Sequence, residues 1–176
     1  IVKNLNALLA VPLSTIEIPS HHTNRLDSNY GKWGDSRSQP WGFEYRTLPS
    51  WLATRPLTEA VLCLAYLIAE DALETKNQAG IYKLINEEEL KGIYRNSQTG
   101  VIRIIMPKIE RDIKTLMGSS TYSKPINYLL SATKEGKPLL GTEIKVGWSI
   151  DFVKLADLKL HDLKTLVEKL AQAITL

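Results

Sequence analysis

Four of the seven arginines in this 176-residue chain, Arg25, Arg37, Arg46 and Arg55, fall within residues 25–55, a stretch whose only lysine is Lys32. Elsewhere lysine dominates. Lysine is the ordinary solvated charge, whereas a guanidinium offers a planar fork that binds phosphate or carboxylate through two parallel hydrogen bonds. The contrast favours an anion site over a generic basic surface. The competing reading is surface ion pairing of these arginines with Asp27, Asp35 and Glu44. Glu44 and Arg46 sharpen the case for a site. Residues 41–48, Trp-Gly-Phe-Glu-Tyr-Arg-Thr-Leu, alternate with period two, so a strand there places Trp41, Phe43, Tyr45 and Thr47 on one face and Gly42, Glu44, Arg46 and Leu48 on the other. Glu44 and Arg46 then stand side by side above a sheet, as a metal ligand beside a phosphate clamp would. One carboxylate cannot hold magnesium alone. That ion takes six oxygens in near-octahedral geometry, so further acidic groups, phosphate oxygens and water are required from elsewhere.

The elements that must position these groups follow from pattern. Val2, Leu5, Leu8, Leu9 and Val11 have helical spacing, which Pro12 is expected to interrupt. Residues 19–40 are rich in Ser, Asn, Asp, Gly and Pro and read as loop, with His21 and His22 as polar surface. Pro49 ends the strand. Pro56 suits the first turn of a helix that runs to about Glu74 and is apolar nearly all round until Glu70, a pattern that predicts burial and makes Cys63 a small core residue without chemistry. Asn86 before Glu87, Glu88 and Glu89 caps a short helix toward Tyr94. Residues from about 98 to 117 form a helix that Pro107 kinks or splits, and Gly118 stops it. Residues 119–147 read as turns with a strand at Thr142–Val146, and Leu160–Leu176 as an amphipathic terminal helix. The outline is one α+β domain over residues 1–176, mostly helical, with a short antiparallel sheet that carries the Glu/Arg strand.

Composition narrows the class. The chain is 44% apolar and 23% charged, which excludes disorder. A formal charge of +3 is too small to argue for nucleic acid. Trp33, Trp41 and Trp51 among arginines could stack single-stranded bases, but the alternation sets Trp41 opposite Arg46, and Glu70, Asp71 and Glu74 would repel phosphate. Cys63 is the lone cysteine, so no disulfide framework or cysteine zinc site can form within one chain, and a reducing compartment is the simpler reading. No apolar run reaches the length of a membrane helix, and no Gly-x-x-x-x-Gly-Lys phosphate loop occurs.

The order Asn24-Arg25, Tyr30-Gly31, Gly34, Arg37 and Pro40-Trp41-Gly42-Phe43-Glu44-Tyr45-Arg46-Thr47-Leu48 resembles the phage-associated carboxylate-amine ligases, an amidoligase branch of the glutamine synthetase-like superfamily. The match is good over about residues 24–52. The resemblance implies a glutamine synthetase-like ligase fragment, in which Glu44 ligates magnesium, Arg46 contacts the nucleotide phosphates, Arg37 binds or polarises the transferred phosphate, and Arg25 also contacts the nucleotide. It implies ATP and Mg2+ as cofactors, and a carboxylate and an amine as substrates. The carboxylate is activated by phosphorylation and the amine displaces phosphate, a chemistry of charge stabilisation that needs no protein nucleophile. Family members carry further acidic metal ligands and a Gly-Gly-His-x-His-like strand upstream of where this chain begins. The chain therefore looks like the C-terminal half of such a ligase, with a companion N-terminal polypeptide or a neighbouring subunit as the expected source of the rest. The implied location is cytoplasmic, in a host cell if the protein is phage-encoded. The alternative is a phage structural or assembly protein, in a virion, that keeps the fold without turnover.

Overall fold

The computed structural model describes residues 1–136 apart from residues 50, 76, 77, 97 and 98. The strand expected at 142–146 and the helix expected at 160–176 lie outside the described residues. What is described is α+β: mostly helical, with one two-stranded antiparallel sheet.

The chain opens with α1 (Val2–Leu5), a π-helical turn (Asn6–Ala10) and α2 (Val11–Ser14) in unbroken succession. Pro12 does not interrupt this helix. The Val11 N–H reaches Asn6 O across the widened turn, and Pro12, which has no N–H to place, enters the first turn of α2. Every residue from Asn4 to Ser14 is buried, on all sides of the helix. Three polar side chains go with it, each with a partner. Asn4 Oδ1 accepts from the Ala79 N–H (2.9 Å), Asn6 Oδ1 from the Tyr45 hydroxyl (2.6 Å), and Ser14 Oγ donates to Val11 O (2.7 Å).

Residues 19–27 are helix, not loop. Pro19 opens α3 (Pro19–Asp27), and the segment is held by a tertiary anchor that local propensity does not reveal: His22 is 1% exposed and bonded at both ring nitrogens. The expectation of a surface histidine is corrected here. The hairpin follows, β1 (Ser36–Gln39) and β2 (Gly42–Tyr45), with Arg37 opposite Glu44 and Ser36 opposite Tyr45. The regular strand is thus shorter than the alternating run. Its aromatic face is not uniformly buried either: Trp41 is 76% exposed and Phe43 44%, while Tyr45 and Thr47 turn inward. Among the described residues, only the base of the hairpin reaches the core, and the tip residues pack against nothing.

Helix α4 (Arg55–Glu74) starts as its sequence indicates, with Thr54 Oγ1 accepting from the Leu57 N–H and Pro56 in the first turn. Leu57, Ala60, Val61, Leu64 and Ile68 face inward, but Leu62, Tyr66 and Leu73 are exposed, so the helix is half-covered rather than fully buried. Cys63 is partly covered, and burial, then the charge of Glu59, push its thiol up, away from the reactive thiolate. Asn86 and Glu89 close a reciprocal capping box on α5 (Glu87–Arg95). Helix α6 (Thr99–Met117) continues through Pro107 as one element. Pro107 and Arg103 are exposed, so the helix bond that Pro107 cannot donate falls on the helix's exposed side. Gly118, at φ 47°, ends it. The expected turns after it are instead α7 (Ser123–Glu135), with Pro125 in the first turn and Ile126, Leu129 and Leu130 buried. Residues from α1 to α7 share one hydrophobic cluster, with Leu8, Leu9, Leu64, Ile109 and Ile126 at its centre. No helix among the described residues is long and apolar enough to cross a membrane.

The Tyr45–Asn6 bond is the hairpin's side-chain tie to the central helix. Tyr45→Phe leaves Asn6 Oδ1 buried without its donor and is expected to lower unfolding stability by about 1–2 kcal/mol in urea denaturation. Unchanged stability would show that this bond does not help to dock the hairpin.

Candidate functional site

Because β1 and β2 pair in register, side chains that alternate on each strand meet on one face. Arg37 and Glu44 are direct cross-strand partners, and the Arg46 N–H to Asp35 O bond (2.8 Å) extends the ladder by one pair. Asp35, Arg37 and Gln39 from one side and Glu44 and Arg46 from the other therefore form a checkerboard of opposite charges. Arg37 Nε donates to Glu44 Oε2 at 2.6 Å, and Gln39 Nε2 donates to the same oxygen at 3.0 Å. These bonds hold the Glu44 carboxyl below the usual carboxylate range, so it is ionised at neutral pH.

Arg46 is held more loosely. Its Nε lies 3.7 Å from Glu44 Oε1 and its Nη1 3.9 Å from Asp35 Oδ1, both too long for hydrogen bonds, and its guanidinium sits 5.4 Å from the Tyr30 ring centroid. Asp35 and Glu44 flank it without capturing its donors. Arg46 and Tyr30 line a cleft of about 400 Å³ with Tyr45, Leu48 and Trp51. Among the described residues, the cleft joins one cation whose donors have no hydrogen-bond partner to an apolar wall, an arrangement that suits a charged group attached to a planar one.

Arg25 lies at the base of the same cleft but is turned toward the protein. Its Nε and Nη2 grip Glu17 Oε1 and Oε2 (3.0 and 2.8 Å), its Nη1 donates to both Gly31 O and Thr47 O (3.0 Å each), and Nη2 also meets the Tyr94 hydroxyl at 3.2 Å. All five of its N–H groups have partners there. Gly31 precedes the hairpin and Thr47 follows it, so one guanidinium clasps both ends. The Tyr94 hydroxyl lies 3.1 Å from Gly31 O and 3.0 Å from Thr47 O and donates its single proton to one of them. Glu17, 3% exposed, also faces His22 Nδ1 at 2.8 Å, while His22 Nε2 donates to Tyr94 O. Burial pushes the Glu17 carboxyl up, but hydrogen bonds from His22 and Arg25 outweigh it and hold the carboxyl below its ordinary value.

Thus the structure brings Glu44, Arg37 and Arg46 onto one face and sets Arg25 behind them as the clasp. Arg55 is apart, paired with Glu59 on α4 at 2.9 Å. Glu17 and Tyr94 carry no assigned role in the sequence pattern, and His22, expected at the polar surface, is instead buried against both. The spacing of His22 and Arg25 on one turn of helix is a faint signal, but Tyr94 lies 69 residues beyond Arg25 and has none. The donor set does not make a magnesium site by itself: among the described residues no three His, Cys, Asp or Glu side chains converge where a metal could bind. Glu44 Oε1 is the one carboxylate oxygen of the pair with Arg37 left to such an ion. The arginine forks do fit phosphate oxygens.

A small α+β protein with an arginine-lined cleft under a charged hairpin is the class these features define. The sequence model of the phage phiEco32-like COOH.NH2 ligase-type 2 family matches residues 1–150, and the chain belongs to that family. Comparison with curated proteins and with solved structures finds no match.

Two predictions follow from the clasp. Gly31 has φ 73°, and a Cβ there would stand 1.8 Å from Arg25 Nη1. Gly31→Ala must therefore expel the guanidinium as well as accept a left-handed backbone, and is expected to cost about 2–4 kcal/mol in denaturant unfolding, against nothing for a neutral site. The second concerns acid. A carboxyl whose folded value is depressed stabilises the fold above its unfolded value, near 4.5 for Glu17, and loses that contribution as pH falls through the lower folded value. Thermal stability should fall as pH drops below about 4.5, with Glu44 and Glu110 sharing the trend through the same sign of shift. Glu17→Gln should be destabilised by about 3 kcal/mol at neutral pH and show a flatter acid limb. An acid limb as steep as the parent's would remove Glu17 from this account.

Proposed function

We propose that this chain takes part in ATP-dependent carboxylate-amine ligation and supplies the phosphate-handling face of the site. The observation that carries the reading is the placement of Glu44, Arg37 and Arg46 on one hairpin face beside a cleft, in a member of a ligase family. In the reaction a carboxylate oxygen attacks the terminal phosphorus of ATP and ADP leaves. The nitrogen of an amine then attacks the acyl carbon of the resulting acyl phosphate, phosphate departs, and the amine loses a proton to give the amide. Charge on phosphoryl oxygens is the quantity to stabilise throughout, and a pre-positioned guanidinium does this without reorganisation. Arg46, with its donors open to the cleft, is assigned to the nucleotide phosphates. Arg37 is assigned to the transferred phosphate, which it reaches through its terminal nitrogens while Nε remains on Glu44. Arg25 acts as a positioning residue that fixes the hairpin, in place of the direct nucleotide contact implied by resemblance. Magnesium, when bound, would shield phosphate charge. Glu44 is its assigned ligand here, and the other oxygens come from outside the described residues, whether a neighbouring subunit, a companion polypeptide or the nucleotide. The proposed setting is the cytoplasm of a host cell.

A second reading has its own support. The Arg37–Glu44 pair at 2.6 Å is complete without a ligand, as expected if the face now serves only to hold the hairpin in a phage structural or assembly protein. Calorimetric titration of the protein, purified with whatever polypeptides accompany it, separates the two. The ligase reading expects Mg-ATP to bind, Glu44→Gln to abolish the difference between ATP with magnesium and ATP with EDTA, and Arg46→Lys to weaken binding about tenfold through loss of the fork. If Mg-ATP does not bind, or if Glu44→Gln retains the full magnesium effect, the structural reading takes its place.

A further inference from the structure

A second cavity, of about 540 Å³, opens on the other side of Tyr94, between the ends of α3 and α5. Its wall carries Lys32, Lys91 and Arg95 against a single acid, Asp27. Neither Lys32 nor Arg95 has an ion pair among the described residues, and Lys91 meets only the exposed Glu88 at 3.3 Å. Arg95 complements the C-terminal dipole of α5. Lys32 belongs to no helix, and that explanation does not reach it.

Trp33 lines the same cavity. The Nε1 of Trp33 is buried and has no hydrogen-bond partner among the described residues, whereas the large majority of buried donors have one. The indole ring leans on Tyr94, with centroids 5.5 Å apart and planes at 59°, and gives the cavity an apolar side facing its cations. None of the charged residues of the hairpin face lines this cavity, so it is a separate site.

We propose that this cavity binds a small organic carboxylate with a flat apolar body. The carboxylate answers the excess of cations, with Arg95 able to present a fork and Lys32 a point charge. The body packs against the indole. Inorganic phosphate meets the first requirement but offers no apolar body. The inference stands without the ligase reading, because it uses no residue of the hairpin face.

The test is a titration of the full chain with benzoate, followed through the nitrogen-15 indole resonances of its four tryptophans. The Trp33 signal is identified by its loss in Trp33→Phe. Benzoate should move this signal saturably and leave that of Trp41, at the hairpin tip, in place. Arg95→Ala and Lys32→Ala, both at exposed positions and so expected to melt like the parent, should each raise Kd about tenfold. Arg37→Ala, on the hairpin, should leave Kd unchanged. The proposal is overturned if benzoate gives no saturable shift, if the two cation variants bind as the parent does, or if inorganic phosphate moves the signal at the same concentrations as benzoate.

Discussion

The buried contact between Glu17 and Arg25 is the constraint from which the geometry of the site descends. A carboxylate that is 3% exposed cannot remain ionised unless its charge is answered, and here the answer is a two-pronged guanidinium with an imidazole on the same oxygen. The pair is costly to bury and more costly to break, so Arg25 has little freedom to leave. With Nε and Nη2 fixed on Glu17, Nη1 is aimed outward in the plane of the guanidinium, and Gly31 O and Thr47 O are where that plane leads. The absence of a side chain at Gly31 is what lets the backbone come so close.

That clasp matters because an isolated two-stranded hairpin is marginal in water. Only four residues pair on each strand, and Trp41 and Phe43 contribute little burial. Fixed geometry must come from the base, where Arg25 and Tyr94 hold the entering and leaving backbone and Tyr45 reaches Asn6 in the central helix. Rigidity then decreases along the hairpin, from a base locked by buried charge to a tip in solvent. Arg46 lies near the locked end and Trp41 at the loose one. A group that must meet phosphate oxygens with fork geometry belongs where the backbone is fixed.

The arginines divide along the same gradient. Arg25 is wholly engaged by protein atoms. Arg37 has one firm bond, to Glu44, and Arg46 has acidic neighbours that stop short of hydrogen-bond distance. The contrast of arginine with lysine points to an anion site, but it carries no information on which arginine is directed inward, and Arg25, Arg37 and Arg55 each pair with a carboxylate of the protein. The inward direction depends on Glu17, whose segment looks like an ordinary connector, and on Tyr94, which the chain brings back from a distant helix. The period-two pattern did identify which residues share a face, because Glu44 and Arg46 obey backbone pleat whatever surrounds them. The same pattern failed for Trp41 and Phe43, since alternation indicates a face and not whether anything covers it.

The helices show the same boundary between local and tertiary information. The starts of α4 and α5 were legible because a capping side chain and its partner lie within three residues of each other. The continuity of α1 into α2 and the helix at Pro19–Asp27 were not. In the first, a π turn absorbs Pro12 at a place where burial on every side favours keeping the helix intact. In the second, weak helix formers are held by a histidine whose two partners lie five and 72 residues away. Both departures sit beside the clasp: α2 leads to Glu17, and α3 carries His22 and Arg25. The segments hardest to read are therefore those whose conformation is set by the buried charge itself, and local propensity yields there because an unpaired Glu17 would cost more than an irregular helix.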